Sequence, residues 1–553
     1  MRGVTPLAPD SGVAPSVGIE RPGGAARRRR IAPFGVPQMP YNSTPFDYEP
    51  VTGRGKKASG ERELDDVFSA PRARAPEAAF EGDAPARRLQ DESSAEAAPS
   101  VGNGGGASGA NARPAVKKEG WASKRGHAVS FIGLFLFTVV LCFRPYELFD
   151  ALKSFTSLAF WIAAATVAVF IPVQLGLEGT LTAWSREVKL VLLLALLGLV
   201  GVPLALAPPE AWATFIEFLK VVLMFVVMMN VIRTVGRLKA LIFLGLAAGS
   251  VMSVAVLADY NAGVFKLYGQ RVEGLIGGMF GNPNDMALYL IMMVPLAVAM
   301  LLAARGLFKK IVYGACALLM SAATMVTFSR GGFFGLVCVF LVLVWKLGRR
   351  NRLSVIACSL LAGGLMMALL PGGLVERLSS MFGSGDSEAA GSAVSRWALL
   401  LRSLWISVRH PLLGVGMGNF HMVSIREQVS HNAYTQVSAE MGVAALVIYV
   451  MLLLTALRRL RQVERETLNE RRDARFYYLA VGLQASLIGY MVSSFFASVA
   501  YLYYVYYPIG YAFCLYVIYH SSREGAAAKV LRGVAAGRGA GFPAGAALEP
   551  GKG

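Results

Sequence analysis

Between residues 128 and 520 the sequence is a succession of apolar runs, each about as long as a lipid bilayer is thick, and this pattern restricts the chain to one kind of fold. A hydrocarbon core of about 30 Å needs roughly 20 helical residues to cross it, with about 17 to 25 tolerated. Inside lipid every backbone N–H and C=O must be satisfied within its own segment, so runs of this length are helices. Twelve spans are predicted: 128–143, 153–175, 188–206, 213–232, 238–258, 285–304, 310–327, 333–347, 353–370, 432–457, 476–497 and 499–520. The fold class is an all-α polytopic membrane protein. The first and eighth runs are short. The last two are so close that a tight hairpin or a re-entrant pair fits them equally.

The 126 residues ahead of the first span are polar and broken by Pro and Gly, a composition that buries too little apolar surface to offset ordering entropy. The chain divides into a disordered cytoplasmic tail (1–126), a transmembrane region (127–520) and a disordered cytoplasmic C-tail (521–553). With no apolar run earlier than residue 128, the first span serves as the insertion signal. Lys117, Lys118, Lys124 and Arg125 form a basic cluster that suits anionic headgroups.

Charged residues make up 16% of the chain, against about 25% in soluble domains, which excludes an ordinary soluble architecture. The net charge of +19 raises the possibility of nucleic-acid binding, but no nucleic-acid motif accompanies it, and the cations cluster in short loops between apolar runs. Of the 35 Lys and Arg beyond the tail, 24 fall in the even-numbered loops and the C-tail and 10 in the odd-numbered loops. That asymmetry predicts an N-in/C-in topology. The five cysteines, Cys142, Cys316, Cys338, Cys358 and Cys514, lie in apolar runs without a CxxC pair and read as small buried hydrophobes.

Two outer loops, 259–284 and 371–431, are then long, and a third is the short Ser329-Arg330-Gly331-Gly332. Loops of such length in a compact membrane protein carry function. Asp386 and Glu388 could be read as a metal pair, but a solvated flexible stretch accounts for them, and no metal is expected. Over 394–409, Trp397, Leu400, Leu401, Leu404, Trp405 and Val408 recur at helical spacing, while Arg396, Arg402, Ser403 and Arg409 fall off that stripe. Such a helix lies on a bilayer better than it crosses one, either as a platform beside a lipid-borne substrate or as a cap over the bundle. Pro411 ends it.

Four segments, in order, resemble the O-antigen ligase and O-antigen polymerase superfamily of bacterial membrane glycosyltransferases. They are Gly281-Asn-Pro-Asn-Asp-Met-Ala287; Thr327-Phe-Ser-Arg330-Gly-Gly332; His410-Pro-Leu-Leu-Gly-Val-Gly-Met-Gly-Asn-Phe420; and His431-Asn432 followed by Glu440-Met-Gly442. The likeness covers roughly residues 210 to 520 and leaves the N-terminal tail outside. It implies a glycosyltransferase-C-like fold in the bacterial inner membrane, with a long periplasmic loop between spans nine and ten and an active face on the periplasmic side. It implies a metal-independent inverting transferase without a cofactor, for lipopolysaccharide or exopolysaccharide biosynthesis. The donor would be an oligosaccharide on undecaprenyl diphosphate. The acceptor would be a glycan, such as lipid A core or a second lipid-linked unit. Other polysaccharide-assembly proteins are possible partners.

A displaced diphosphate needs fixed positive charge, and Arg supplies it with a fork that fits phosphate oxygens. Arg330 is the first candidate, beside two glycines that admit close approach; its bland reading is snorkelling to headgroups. Arg271, which matches an arginine of the resemblance, and Arg396 are further candidates. His431 is the candidate general base, with an ordinary pKa of about 6.5 and a helix N-terminus to keep it neutral. Asn282, Asn284 and Asn432 are candidate sugar-binding groups, and capping the sixth span would equally explain one of the first two. His410 and His421 shape the loop, and Glu217 and Lys220 pair along the fourth span. The rival reading is a transporter of lipid-linked sugar, which predicts mid-membrane charges and repeated halves.

Overall fold

The computed structural model describes residues 127–148, 152–153, 157–264, 272, 274, 280–350, 352–353, 363–364, 388–470 and 474–539. Thirteen helices longer than one turn carry the architecture: α1 (Ala128–Phe143), α2 (Leu158–Glu178), α3 (Arg186–Gly201), α4 (Pro208–Val231), α5 (Val235–Asn261), α6 (Pro283–Ala303), α7 (Leu307–Val326), α8 (Arg330–Gly348), α9 (Glu388–Arg409), α10 (Ala433–Met441), α11 (Val443–Thr467), α12 (Ala474–Ser493) and α13 (Tyr503–Gly539). No strand occurs among the described residues.

Ten helical segments among them are long and apolar enough to cross a membrane, matching ten of the twelve predicted spans. With this many apolar helices the chain is a multi-pass membrane protein. The ninth predicted span, most of the long loop after it, the N-terminal tail and Arg271 lie outside the described residues. The twelfth, within α13, is too rich in tyrosine to qualify on hydropathy, yet Tyr504, Tyr506, Ile509, Leu515 and Tyr519 are buried in the bundle.

Several predicted boundaries move, each for a local reason. The first span continues through a single turn at Pro145–Leu148, and the eighth starts at Arg330, so both reach full length. The tenth span is not one helix from 432. Gly442, at φ +88°, breaks it into the short α10 and the spanning α11. At its other end α11 runs past residue 457 to Thr467, because Arg459 and Glu464 there find buried partners. The last helix runs beyond residue 520, where a disordered C-tail is expected, as far as Gly539. Its extension is rich in alanine, a strong helix former, and Arg523 pairs with Glu466 and Glu470 of the preceding segment.

Burial ranks the helices. In α6, 78% of the spanning window is buried and in the α12 span 72%, whereas in α2 the share is 17%, so α6 and α12 form the inner pair and α2 faces lipid. Glycine lets the inner helices touch: a methyl at Gly482 of α12 would lie 2.5 Å from Ala299 of α6. At the end of α8 away from Arg330, buried polar links replace apolar packing. Lys346 meets Glu464 at 2.6 Å, Gln484 Nε2 donates to the same carboxylate at 2.9 Å, and Arg459 meets Glu187 at 2.9 Å. Glu217 and Lys220 pair at 2.6 Å, as their spacing predicts. Cys142 and Cys514 are buried and Cys316 and Cys338 half-buried, all four free; Cys358 is outside the described residues.

Candidate functional site

Three of the motif segments begin helices, and each beginning is set by a capping side chain. Asn282 accepts from the Asn284 N–H at 2.9 Å and starts α6, with Pro283 in the first turn. Ser329 accepts from the Gly332 N–H at 3.2 Å and starts α8, so that Arg330 is its first residue. Asn432 accepts from the Tyr434 and Thr435 N–H groups at 2.9 and 3.1 Å and starts α10. The cap of α10 is therefore Asn432, and His431 lies one residue outside the helix.

Side-chain contacts join these three N-termini. The Ser329 hydroxyl donates to Asn284 Oδ1 at 3.0 Å, tying α8 to α6. From α12, Ser493 donates to the Gly331 carbonyl at 3.1 Å, and Ser494 in the following 3-10 turn (Ser494–Phe496) donates to the Tyr434 hydroxyl at 3.4 Å. Phe495 packs on Tyr434 with centroids 4.6 Å apart, and Phe496 stacks on Phe334. The residues 493–496 thus hold the start of α8 against the start of α10. Sequence reasoning passed over them, because Ser and Phe at the end of an apolar run look like ordinary span.

The glycines after Arg330 play a different part from the one expected. A methyl at Gly331 would stand 2.8 Å from Phe496, and one at Gly332 2.9 Å from Ala287. The close approach they permit is helix to helix. Two residues beside the site hold a left-handed backbone without being glycine: Phe328 at φ +52° and His431 at φ +51°. For Phe that conformation costs about 1–2 kcal/mol. The helix-start bonds at Ser329 and Asn432, immediately after each residue, hold it in place.

The glycine-rich segment 410–420 turns through positive φ at Gly414, Gly416 and Gly418 and runs alongside the end of α10. Val415 N–H donates to Ala439 O and Gly416 N–H to Glu440 O, both at 2.9 Å, and Val443 N–H donates to Pro411 O at 2.8 Å. The Glu440 carboxylate, 4% exposed, accepts from the Gly418 N–H at 3.1 Å. Burial pushes this carboxyl up to about 7, against the opposing pull of the Gly418 N–H. Glu440 belongs to the fourth motif, but sequence gave it no role; the structure makes it the clasp on the glycine segment. His421 Nδ1–H donates to Gly418 O at 2.9 Å, and the ring faces Glu210 at 3.5 Å, a loop-shaping position.

His431 is half-buried, and its ring takes no hydrogen-bond partner from the described residues. Burial lowers its pKa to about 4, and the nearby charge of Arg396 adds to the fall. The imidazole is therefore neutral at pH 7. Arg396 comes from α9, which packs on α10 through a Ser407–Ser438 hydroxyl contact of 2.7 Å and a small core of Leu399, Ile406, Val415, Phe420 and Ala439. Of the predicted site residues, Arg330, Arg396, Asn284, His431 and Asn432 lie within this connected framework. The side-chain oxygens of Asn282 and Asn432 cap their helices, and that of Asn284 accepts from Ser329.

Residues 315–450 match the family model described as O-antigen ligase. This segment, about a quarter of the chain, supports membership of the O-antigen ligase superfamily. No curated protein matches the sequence. The matched segment runs from α7 into α11 and takes in Arg330, Arg396, the glycine segment, His431, Asn432 and Glu440. The match and the apolar helices point to a multi-pass, glycosyltransferase-like membrane enzyme and do not favour the transport reading.

Proposed function

We propose that this protein transfers a glycan from undecaprenyl diphosphate to an acceptor hydroxyl at the periplasmic face of the bacterial inner membrane. The observation that carries the reading is that residues 493–496 tie the helix start bearing Arg330 to the helix start that follows His431, and that Arg396 lies near this neutral histidine. A helix N-terminus carries the positive end of the helix dipole, which favours an anion beside it. Two guanidinium groups add permanent charge suited to phosphate oxygens. Arg271 is a third proposed member of this clamp.

In the proposed reaction the diphosphate docks against Arg330 and Arg396. His431 takes the proton of the acceptor hydroxyl as its oxygen attacks the anomeric carbon. The bond from that carbon to the diphosphate oxygen breaks, and its electron pair leaves with the phosphate. Attack from the far side inverts the anomeric centre. Docking of the anion beside Arg396 also relieves the repulsion that depresses the His431 pKa and makes the imidazole a stronger base. Asn282, Asn284 and Asn432 are the proposed sugar contacts. The clamp and base serve a ligase and a polymerase alike, and the acceptor distinguishes them.

The test is donor conversion by purified protein in vesicles. Arg330→Ala and His431→Ala are expected to stop release of undecaprenyl diphosphate while leaving insertion and protein level intact. Full release by both variants would dispose of the mechanism, and flipping of the donor without release would restore the transport reading. A reporter fused after residue 430 should report the periplasm.

A further inference from the structure

The helix α9 has two unlike faces. Leu399, Ser403, Ile406 and Ser407 are buried against α10 and the glycine segment, and Arg396 falls on the same side of the helix, toward His431. The opposite side carries Trp397, Leu401, Leu404, Trp405 and Val408, exposed by 63, 47, 46, 45 and 78%. A helix on the surface of a water-facing domain shows polar residues outward. Here the outward face is the more apolar one. Together these side chains expose on the order of 500 Å², at the upper end of what a soluble monomer shows in one patch.

Two observations identify what covers this face. The stripe is continuous with the flank of a spanning helix: Leu412 is 79% exposed, and Val443 and Val447, in the first turns of α11, are 44 and 51% exposed. The Val443 N–H bond to Pro411 O fixes that continuity, so α9 leaves the bundle at the height where α11 enters it. The edge of the stripe is basic. Arg402 and Arg409 both stack on the Trp405 ring, at 4.7 and 4.2 Å from its centroid, and Arg402 is also anchored to Val423 O at 2.8 Å. An aromatic ring topped by guanidinium groups matches the border between acyl chains and phosphate headgroups.

We propose that α9 lies in the leaflet of the bilayer that the spans cross, with its Trp397–Val408 stripe among the acyl chains and Arg402 and Arg409 at anionic headgroups, and that this seating positions Arg396 beside His431. The seating itself is independent of the proposed transfer reaction; the consequence for Arg396 rests on it. Arg396 is on the face that α9 turns to the protein because the other face is turned to lipid. Membrane seating thus sets the rotation of a helix that carries part of the site.

The experiment is spin labelling of single cysteines at Leu401, Leu404 and Val408 in the full chain with its native cysteines replaced, reconstituted in phosphatidylethanolamine–phosphatidylglycerol vesicles. Collision rates with oxygen, which concentrates in the acyl region, are expected to exceed those with a water-soluble nickel chelate several-fold at all three positions. Chelate rates equal to or above the oxygen rates would mean that the stripe faces water and would overturn the proposal. Loss of both, with dipolar broadening, would mean that a second copy covers the stripe and would equally overturn it. Should labelling disturb assembly, brominated-lipid quenching of the unsubstituted chain decides: the quenched fraction should fall in the W397F/W405F double variant, and no change refutes the seating. Neither readout needs donor or acceptor, so failure of the transferase reading and failure of this one are separable.

Discussion

Replacing Gly414 with alanine, and comparing it with the same change at Gly179, tests whether the glycine segment is built against α10 as described. Both glycines have φ +67°, so an alanine pays the same left-handed penalty at either, about 1–2 kcal/mol. Their surroundings differ. Nothing lies within 4 Å of a methyl at Gly179, the C-cap of α2. A methyl at Gly414 would stand 2.3 Å from the Glu440 carbonyl carbon and 2.5 Å from the Ala439 and Glu440 oxygens. These are backbone atoms and cannot rotate away, so the glycine segment and the end of α10 must part. Parting weakens the Val415–Ala439, Gly416–Glu440 and Gly418–Glu440 hydrogen bonds, at about 1 kcal/mol each. The expected cost at Gly414 is about 3–5 kcal/mol, against about 1–2 at Gly179. Heating a fluorescent fusion in detergent and following the monodisperse fraction by size exclusion gives the two midpoints. G179A should melt slightly below wild type, G414A several degrees lower still, and G414A should also lose transfer. Equal midpoints would refute the packing argument, since the two sites share everything but their neighbours.

Three further outcomes follow from the same geometry. Glu440 holds its proton up to about pH 7 in the folded state, against an ordinary value near 4.5, so the folded chain is favoured below about 4.5 and that advantage, roughly 3 kcal/mol, is lost as pH rises through 7. Wild type should therefore melt lower at pH 8 than at pH 5.5, and E440Q should flatten this difference; an unchanged profile in E440Q would place the titration elsewhere. For His431 the sign is opposite: with a folded value of about 4 it stays neutral, and transfer should persist down to about pH 5 and fall as pH approaches 4. A fall centred on pH 6.5 would mean the ring is neither buried nor beside Arg396. At the far end of α8, removing one partner of the Lys346–Glu464 pair, by K346A or E464A, should cost about 3–5 kcal/mol, while the double apolar variant K346M/E464M should recover much of it. Stabilities of the three variants in detergent decide this, and a double variant as unstable as the sum of the singles would contradict the pairing.

What the sequence determined by itself was the class of fold and the place to look. Apolar runs of bilayer length dictate spanning helices because lipid offers the backbone no other partner, and ten of the predicted spans recur as helices of that kind. Local signals also sufficed where the chemistry is local. Asn282 caps the helix that it precedes, Pro411 follows the end of α9, and Glu217 reaches Lys220 one turn on. Tertiary structure decided everything that depends on a neighbour distant in the chain. Gly331 and Gly332 read as room for a ligand until Phe496 and Ala287 are seen filling it. Glu440 reads as one polar residue in an apolar run until Gly418, on another segment, is seen to bind it. The amphipathic stripe of α9 is plain in sequence, but the choice between a cap and a platform is not. Periodicity fixes which residues share a face, and only the packed structure, with α9 against α10, shows which face turns inward.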